Sequence, residues 1–294
     1  MVNRIIAIIT SVITVLTSVF YFFFVPKSYE YRDLAYGTDV RHTLDLNIPK
    51  ENDGEVGLVL FIHGGAWFSG SKDNYDEEIE FMSDRLGYAA AAINYRYVSE
   101  TVSANDIMDD IDAALSFIKQ KAKEHSVDVN KVLLTGISAG AHLALLYGYS
   151  RVDTAPIKPA AVISNCAPVD LTLESFYTES ETFDEPSSCF LMTRVSGKEF
   201  TSVAEMDIAR DALLKISPFT YVNENTVPTI INHGKIDKTV PYRNAQILDQ
   251  KLTEYGVTHI FNTYPESGHN LDGDFIIDMK ADKMFVEYCE TYLN

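Results

Sequence analysis

The chain has 294 residues, 46% of them hydrophobic and 12% aromatic, which is enough for the core of one large domain or two small ones. Its formal net charge of −18 argues against a nucleic-acid partner and against a basic surface that binds anionic lipid. The three cysteines (Cys166, Cys189 and Cys289) indicate neither a structural zinc site nor a disulfide framework, although one disulfide with one free thiol fits the count.

The N-terminus carries a continuous apolar run. Ile5 to Val25 is 21 residues without a charge or a proline, long enough to cross a bilayer core of about 30 Å as a helix. A cleaved signal peptide is the alternative, but its apolar region usually has about 7–15 residues and ends at a small-residue cleavage site. This run ends instead in "FYFFFVPK". We therefore expect an uncleaved signal anchor in residues 1–27, with secretion after cleavage as the alternative.

The orientation of this anchor is not set by charge. Arg4 precedes the run, whereas Lys27 and Arg32 follow it, so the positive-inside rule decides little. Export of the domain is the ordinary outcome when an N-terminal anchor leads a large domain. The expectation is a single-pass membrane protein with residues 28–294 outside the cytoplasm.

From Ser28 onward, short strands alternate with helices. An antiparallel pair of strands is predicted first, and buried strands and amphipathic helices follow it. The stretches that define them are "YEYRDLAYG", "RHTLDLNIP", "EVGLVLFIHGG", "NYDEEIEFMSDRLG", "YAAAAINYRY", "SANDIMDDIDAALSFIKQKAKEH", "KVLLTG", "AHLALLYGY", "PAAVISNCAP", "TVPTIINHG", "YRNAQILDQKLTEYG", "THIFNTYP" and "FIIDMKADKMFVEYCETYL". This alternation is typical of βαβ units, which predicts an α/β fold with a mostly parallel central sheet and helices on both faces.

A serine lies between two glycines where a predicted strand meets a predicted helix, in "GISAGAH". A G-x-S-x-G pattern alone is a weak indication and is compatible with an ordinary turn. At a sharp strand-to-helix turn, however, Gly136 and Gly140 avoid collisions that side chains would cause, and the turn exposes Ser138 at the carboxyl edge of the sheet. Ser138 is therefore the candidate nucleophile.

A serine nucleophile requires a base and an acid that orients the base. Among seven histidines, His269 lies in the loop immediately after the last predicted strand, in "YPESGHNLDG". Asp237 occupies the corresponding loop after the preceding strand, in "INHGKIDKTVP". The order Ser138, Asp237, His269 is the order expected for a nucleophile elbow on an α/β sheet. Asp170, which also follows a strand, is the alternative acid.

Acyl transfer also requires hydrogen-bond donors for the developing oxyanion. The stretch "HGGAWFSG" (63–70) ends the first long buried strand, where glycines let backbone N–H groups approach the reaction centre. We expect the N–H groups of Gly65, Ala66 and Ala139 to be these donors. Trp67, the single tryptophan, either lines the substrate pocket or packs in the core.

Several motifs together resemble one enzyme family. They are "HGGAW", "NYRY", "GISAGAHLA", "APVDL", "HGKIDKTVP" and "SGH", and the resemblance runs from about Tyr31 to the C-terminus. The chain resembles α/β-hydrolases of the carboxylesterase group, which includes hormone-sensitive-lipase-like enzymes and feruloyl-esterase-like enzymes of the BD-FAE type. The hormone-sensitive-lipase pattern usually has H-G-G-G and G-D-S-A-G, whereas Ala66 and Ile137 occupy the variable places here. This shifts the likeness towards feruloyl- and acetyl-esterase-like members and towards arylformamidases.

The resemblance implies Ser138, Asp237 and His269 as a catalytic triad and "HGGAW" as the oxyanion loop. It predicts a serine esterase that forms an acyl-enzyme and needs neither a metal nor an organic cofactor. An amide-cleaving relative, such as an arylformamidase or a serine peptidase, uses the same triad and is the first alternative. A membrane-tethered, non-catalytic interaction module is the second, although such a relative normally loses a triad residue. The oligomeric state is not indicated.

The interval from Asp170 to Thr226 is too long for a simple crossover and enters at the carboxyl edge of the sheet. We expect residues 170–226 to form a cap insertion within a catalytic domain of residues 28–294. Aromatic side chains of the cap would then face the pocket, and its carboxylates would ring the mouth and repel anionic substrates. Small neutral esters with short or aromatic acyl groups are therefore the expected substrates. The aromatic and acidic residues of the cap are Phe176, Tyr177, Phe183 and Phe190, and Asp170, Glu174, Glu179, Glu181, Asp184 and Glu185. A solvated acidic loop is the alternative.

Overall fold

One sheet of eight strands organises the computed structural model, which describes residues 27–294. The strands are β1 (Ser28–Ala35), β2 (Thr43–Pro49), β3 (Leu58–Ile62), β4 (Ala89–Ile93), β5 (Lys131–Ile137), β6 (Lys158–Asn165), β7 (Thr229–Gly234) and β8 (His259–Tyr264). Their order across the sheet is β1-β2-β4-β3-β5-β6-β7-β8. The pairs β1/β2 and β2/β4 are antiparallel and the other neighbours are parallel. The prediction of a mostly parallel sheet is confirmed.

Helices cover both faces of this sheet. They are α1 (Asp76–Asp84), α2 (Ala104–Lys123), α3 (Ala139–Ser150), α4 (Glu174–Thr178), α5 (Glu185–Ser196), α6 (Met206–Lys215), α7 (Arg243–Glu254) and α8 (Phe275–Tyr292). Because side chains alternate along a strand, Leu58, Leu60 and Ile62 of β3 join the core that contains α2, α3 and α7. Val59 and Phe61 join a separate core with residues of α1 and α8.

Local sequence accounts for these elements. The central strand β4, "AAAAI", is buried along its whole length, as expected for a strand covered on both faces. Helix α2 begins at a capping box in which Ser103 and Asp106 satisfy each other's backbone N–H groups. Its buried stripe includes Ile107, Ile111 and Ile118, so the predicted amphipathic helix faces the sheet.

The interval 170–226 folds into three helices, α4 to α6, with short 3-10 turns at Val203–Glu205 and Pro218–Tyr221. Asp184 is the N-cap of helix α5, and its side chain accepts the Ser187 N–H at 3.0 Å. Gly197, with φ of 69°, is the C-cap of the same helix. Cys166, Cys189 and Cys289 are buried free thiols. The structure therefore excludes the option of one disulfide.

The predicted signal anchor, Ile5 to Val25, lies outside the described residues. Within residues 27–294, no helix combines the length and the apolar character needed to cross a membrane. The described chain enters the sheet at Ser28, which pairs with Pro49. Because Leu44 at the other end of β2 pairs with Ile93 at the carboxyl end of β4, Ser28 lies at the amino edge of the parallel strands.

Candidate active site

The residue between β5 and α3 has a strained backbone. Ser138 has φ of 57° and ψ of −123°, a region that non-glycine residues adopt at a cost on the order of 1–3 kcal/mol. A Cβ atom on Gly136 or Gly140 would collide with the carbonyl oxygen of Ile62. The two glycines therefore allow the sharp turn that the sequence predicts, and Ser138 stands at the carboxyl edge of the sheet.

The structure pairs His269 with Asp237. His269 Nδ1 donates to Asp237 Oδ2 at 2.7 Å, while Asp237 Oδ1 accepts the N–H groups of Thr239 and Val240 at 2.8 and 2.9 Å. Burial alone would raise the pKa of Asp237, but the neighbouring imidazoles of His233 and His269 outweigh it and lower that pKa well below its usual range. Asp237 is thus an ionised, buried partner that orients the imidazole.

The alternative acid, Asp170, does not contact this pair. Its Oδ1 accepts the N–H and the hydroxyl of Thr172 at 2.9 and 2.7 Å, which stabilises the first turn of the insertion. Ser138 and His269 both follow strand ends at the carboxyl edge, yet no hydrogen bond joins their side chains in the described part of the chain. Such contacts are often long without substrate and tighten in the reactive complex.

Asp237 has two further neighbours, His233 and Cys166, which the sequence did not indicate. His233 Nε2 lies 3.4 Å from Asp237 Oδ2 and donates to the carbonyl of Val240 at 3.0 Å. The buried thiol of Cys166 lies near the Asp237 carboxylate, and burial followed by the charge of Asp237 raises the pKa of that thiol. The ligand atoms of Cys166, Asp237 and His269 lie within 4.8 Å of one another, so a neutral thiol completes the surroundings of the acid.

The loop after β3 presents free backbone donors. Gly65, Ala66 and Trp67 have φ of 108°, 50° and 62°, three consecutive left-handed values that reverse the chain. Among residues 27–294, the N–H groups of Gly65, Ala66 and Ala139 make no hydrogen bond. The carbonyl of Gly65 accepts from Phe68 and Ser69 at 3.1 and 2.9 Å, which closes the turn. Three unpaired donors at the carboxyl edge suit an oxyanion.

The buried side chain of His63 supports the backbone of this loop. It is buried, its ring stacks on Tyr95 with centroids 4.2 Å apart, and its Nδ1 donates to the carbonyl of Gly64 at 2.8 Å. Arg41 Nη2 lies 3.1 Å from its Nε2 and also donates to the Gly70 carbonyl at 3.3 Å. Nε2 therefore accepts from Arg41, and a neutral His63 joins the two ends of the loop.

Trp67 packs in the core, which settles the alternative left by the sequence. Its side chain is 2% exposed and its Nε1 donates to His142 Nδ1 at 3.2 Å. His142 Nε2 in turn donates to the carbonyl of Ile216 at 2.7 Å. The indole thereby links the loop after β3 to helix α3 and to the end of the insertion.

These two buried histidines predict acid sensitivity. Burial lowers the pKa of both His63 and His142 to about 4, whereas an unfolded histidine titrates near about 6.5. As the pH falls from about 6.5 to 4, the unfolded chain therefore binds protons that the folded chain does not, and stability falls. We expect the free energy of unfolding to drop by on the order of 2 kcal/mol per histidine between pH 7 and pH 5. Urea denaturation at the two pH values measures this, and equal midpoints would contradict it.

Three asparagines form a chain of hydrogen bonds that ends at the elbow, the turn of residues 136–140. Asn262 Nδ2 donates to Asn232 Oδ1, Asn232 Nδ2 to Asn165 Oδ1, and Asn165 Nδ2 to the carbonyl of Gly136, each at 2.9 Å. The three residues are register partners on β6, β7 and β8. The carbonyl of Asn165 also accepts the N–H of Ser138 at 2.8 Å. Asn165 thus holds the elbow through both the Gly136 carbonyl and the N–H of the strained residue.

Replacing the Asn165 side chain should lower kcat more than it changes KM. Asn165→Ala removes the donor to Gly136 and leaves the Asn232 amide without its acceptor, a loss of about 1–3 kcal/mol. We expect kcat for an ester to fall about 10- to 100-fold with KM little changed. Steady-state kinetics measures this, with Asn130→Ala, an exposed asparagine bonded to Glu55, as the control. Equal effects of the two substitutions would contradict a positioning role.

The insertion is attached to the loop that carries Asp237. Glu181 forms an ion pair with Lys238 at 2.8 Å, its N–H donates to the Lys238 carbonyl, and Thr182 hydrogen-bonds Thr239. The insertion therefore has fewer free carboxylates than expected. Glu181 is neutralised by Lys238, and three further carboxylates accept local hydrogen bonds: those of Asp170, Asp184 and Glu185. Their partners are Thr172, Ser187 and Val203.

An apolar cavity of about 600 Å³ lies between the loop after β3 and helix α5. Phe68, next to Trp67, forms one wall, and Phe183 and Phe190 of the insertion form the other. The remaining two predicted pocket aromatics, Phe176 and Tyr177, are buried in the core instead. Ser138, Asp237 and His269 do not line this cavity. The prediction that the aromatic side chains face the active-site pocket is therefore wrong for Phe176 and Tyr177, and it stays a prediction for Phe183 and Phe190.

Known proteins resemble the chain in sequence and in fold. A family model described as BD-FAE matches residues 44–252. A probable isoprenylcysteine alpha-carbonyl methylesterase of Arabidopsis thaliana is 35% identical over 125 residues, which cover 42% of this chain and 25% of that protein. A probable carboxylic ester hydrolase, LipM, of Mycobacterium tuberculosis is 26% identical over 82% of this chain and 58% of its own length. The chain thus spans about a quarter to three fifths of these curated relatives.

A solved structure shows the same fold. A truncated carbohydrate esterase from gut microbiota superposes with a TM-score of 0.71 at 22% identity, over 90% of this chain and 98% of that one. This likeness is one of architecture, and it confirms the predicted α/β-hydrolase fold.

Proposed function

The chain belongs to the BD-FAE family, and from that premise we propose that it is a serine carboxylic ester hydrolase whose nucleophile is Ser138. The observation that carries the proposal is the strained Ser138 at the same sheet edge as the hydrogen-bonded His269–Asp237 pair. Esterase relatives support the reaction class.

In the proposed mechanism, His269 Nε2 accepts the proton of Ser138 as its hydroxyl oxygen attacks the ester carbonyl. Nδ1 keeps its proton because it donates to Asp237, so Nε2 is the free base. The cationic imidazole that forms is stabilised by the buried carboxylate. It then protonates the leaving alcohol, and water repeats the cycle on the acyl-enzyme.

The tetrahedral oxyanion would accept hydrogen bonds from the N–H groups of Gly65, Ala66 and Ala139. None of these donors has another partner in residues 27–294, so they need no rearrangement before the reaction. Ala139 is also the first residue of α3, whose positive dipole end points to the same place. Removing one such donor typically lowers kcat by about 10²–10³.

The expected substrates are small neutral esters. The cavity formed by Phe68, Phe183 and Phe190 is apolar and adjoins the proposed oxyanion loop, which favours a short or aromatic group over a carboxylate or phosphate. Glu174 and Glu179 remain exposed on the insertion and would repel anions weakly, an effect that salt screens.

The test is a panel of p-nitrophenyl acyl esters with carboxylated analogues and formyl and peptidyl amides, using Ser138→Ala as the inactive control. We expect hydrolysis of the neutral esters and covalent labelling of Ser138 by a fluorophosphonate. Wild-type protein that cleaves no member and takes no label would refute the proposal. Cleavage of the amides alone would replace it with amide hydrolysis.

We further propose that Ile5 to Val25 anchors the domain in a membrane, with residues 28–294 outside the cytoplasm. The length and apolar character of that stretch support this. Protease added to intact cells should then cleave the domain and release the proposed hydrolase activity from the membrane fraction. A domain that becomes cleavable only after lysis would contradict this topology.

A further inference from the structure

Two of the proposed oxyanion donors lie in a loop whose backbone is strained. In residues 63–70, four residues have φ between 50° and 108°: Gly65, Ala66, Trp67 and Gly70. Strained backbone persists only where the surrounding contacts fix it. The N–H groups of Gly65 and Ala66 make no hydrogen bond within residues 27–294, so contacts elsewhere in the loop must hold these donors in place.

One arginine contacts both ends of this loop. Arg41 lies in the turn between β1 and β2, and its Nη2 donates to His63 Nε2 at 3.1 Å and to the Gly70 carbonyl at 3.3 Å. Its Nε donates to the carbonyl of Tyr95 at 3.2 Å. The guanidinium carbon lies 4.0 Å from the centre of the Tyr97 ring. The planar guanidinium is thus fixed in orientation as well as in position.

The loop depends on Arg41 most at His63. The carbonyl of Gly70 also accepts the hydroxyl of Tyr97 at 2.6 Å, so it keeps a donor when Arg41 is replaced. His63 Nε2 has no other donor in the part of the chain that the structure describes. Because the partner of one ring nitrogen decides which nitrogen carries the proton, Arg41 keeps that proton on Nδ1, which donates to the Gly64 carbonyl at 2.8 Å.

A role confined to the β1–β2 turn does not account for these contacts. Within that turn, the backbone N–H of Arg41 donates to Asp39 Oδ1 at 2.8 Å. The hydrogen bonds of its side chain reach residues 63–70 and 94–95 instead. In residues 27–294 the guanidinium forms no ion pair. Its replacement therefore leaves no buried carboxylate without a partner, and we expect the variants to fold.

We propose that Arg41 is a positioning residue for ester hydrolysis, because it holds the N–H groups of Gly65 and Ala66 where the oxyanion forms. This inference rests on the proposed function. Arg41 acts through His63 and through the Gly70 carbonyl, which fix the two ends of the loop. A shift of the donors by about 1 Å weakens binding of the transition state and leaves binding of the ground-state ester largely intact.

Steady-state kinetics of Arg41→Ala and Arg41→Lys in the full-length protein, with p-nitrophenyl acetate, tests this role. Arg41→Ala should lower kcat about 100-fold and change KM less than about fivefold, since removal of one oxyanion donor costs about 10²–10³ in kcat. A lysine offers one ammonium group, which can reach His63 or Gly70 but lacks the planar geometry of the guanidinium. Arg41→Lys should therefore recover part of the loss, to within about tenfold of the wild type.

The matched control is Arg96→Lys. Arg96 is likewise half-buried, but its side chain bonds the buried Asp110 at 2.6 Å and the carbonyl of Asp106 at 3.1 Å. Its replacement should lower the melting temperature and change kcat less than about threefold. Circular dichroism shows whether each variant is folded. Equal losses of kcat in Arg41→Lys and Arg96→Lys would overturn the proposal.

Hydrogen exchange gives a second readout that needs no substrate. The N–H groups of Phe68 and Ser69 donate to the Gly65 carbonyl, so their protection reports whether the loop is closed. This protection should fall about tenfold or more in Arg41→Ala and stay at the wild-type level in Arg96→Lys. Unchanged protection in Arg41→Ala would overturn the assignment of Arg41 alone. A wild type that hydrolyses no ester would overturn the proposed function and this role with it.

Discussion

Asp237→Asn should lower kcat for a neutral ester by about 10⁴-fold while the protein remains folded. An asparagine can offer its amide nitrogen to His269, which would place the imidazole proton on Nε2 and remove the base from Ser138. It also removes the negative charge that stabilises the cationic imidazole. Steady-state kinetics with p-nitrophenyl acetate measures the change, and circular dichroism shows whether the fold is kept.

The matched control for this substitution is Asp170→Asn. Asp170 is also an aspartate after a strand end, but it contacts Thr172 and not His269. Its replacement should change kcat by less than about threefold, since it removes only a local turn contact. A larger loss in Asp170→Asn than in Asp237→Asn would reassign the acid.

Gly140→Ala should cost both stability and activity. The added methyl group would collide with the backbone carbonyls of Ile62 and His63, and backbone in the centre of a buried sheet has little room to move. Overpacking of this kind costs about 1–3 kcal/mol and occasionally more. We expect the free energy of unfolding to fall by at least about 2 kcal/mol and kcat to fall about 100-fold or more, because the elbow shifts.

Gly148→Ala, on the same helix α3, is the control for Gly140→Ala. There the methyl group would crowd the buried side chain of Val162, 2.6 Å from its Cγ2, so the free energy of unfolding should also fall, but the backbone of the elbow is not touched. The higher helix propensity of alanine, worth about 1 kcal/mol, offsets part of this crowding, and kcat should change little. Urea unfolding and ester kinetics of both variants separate the two cases, and equal losses of kcat would refute the role assigned to the elbow.

The residues with predictable positions are those at strand ends. In a parallel sheet the carboxyl ends of the strands meet at one edge, so Ser138, Asp237 and His269 could be placed together from the order of strands and loops alone. The glycines of the elbow were likewise predictable, because a strand-to-helix turn of that kind leaves no room for a Cβ atom.

Contacts between residues far apart in sequence could not be predicted. The proximity of Cys166 to Asp237 depends on the neighbouring positions of β6 and β7, and no local pattern in the sequence indicates it. The direction of the Trp67 side chain follows from the three consecutive positive φ values of Gly65, Ala66 and Trp67. The sequence does not suggest these values, because two of the three residues are not glycine. The neutralisation of Glu181 by Lys238 depends on how the insertion folds back.

The position of Ser28 at the amino edge has a consequence for where substrates come from. Only Pro26 and Lys27 separate it from the proposed anchor, so an anchored domain would stand with that edge against the lipid headgroups. The seven residues of β5, at about 3.3 Å each, would then raise Ser138 roughly 20 Å above them. In this orientation the proposed active site would be accessible to esters in the surrounding solution or on an opposing surface. The lipids of the bilayer that holds the anchor would lie below it.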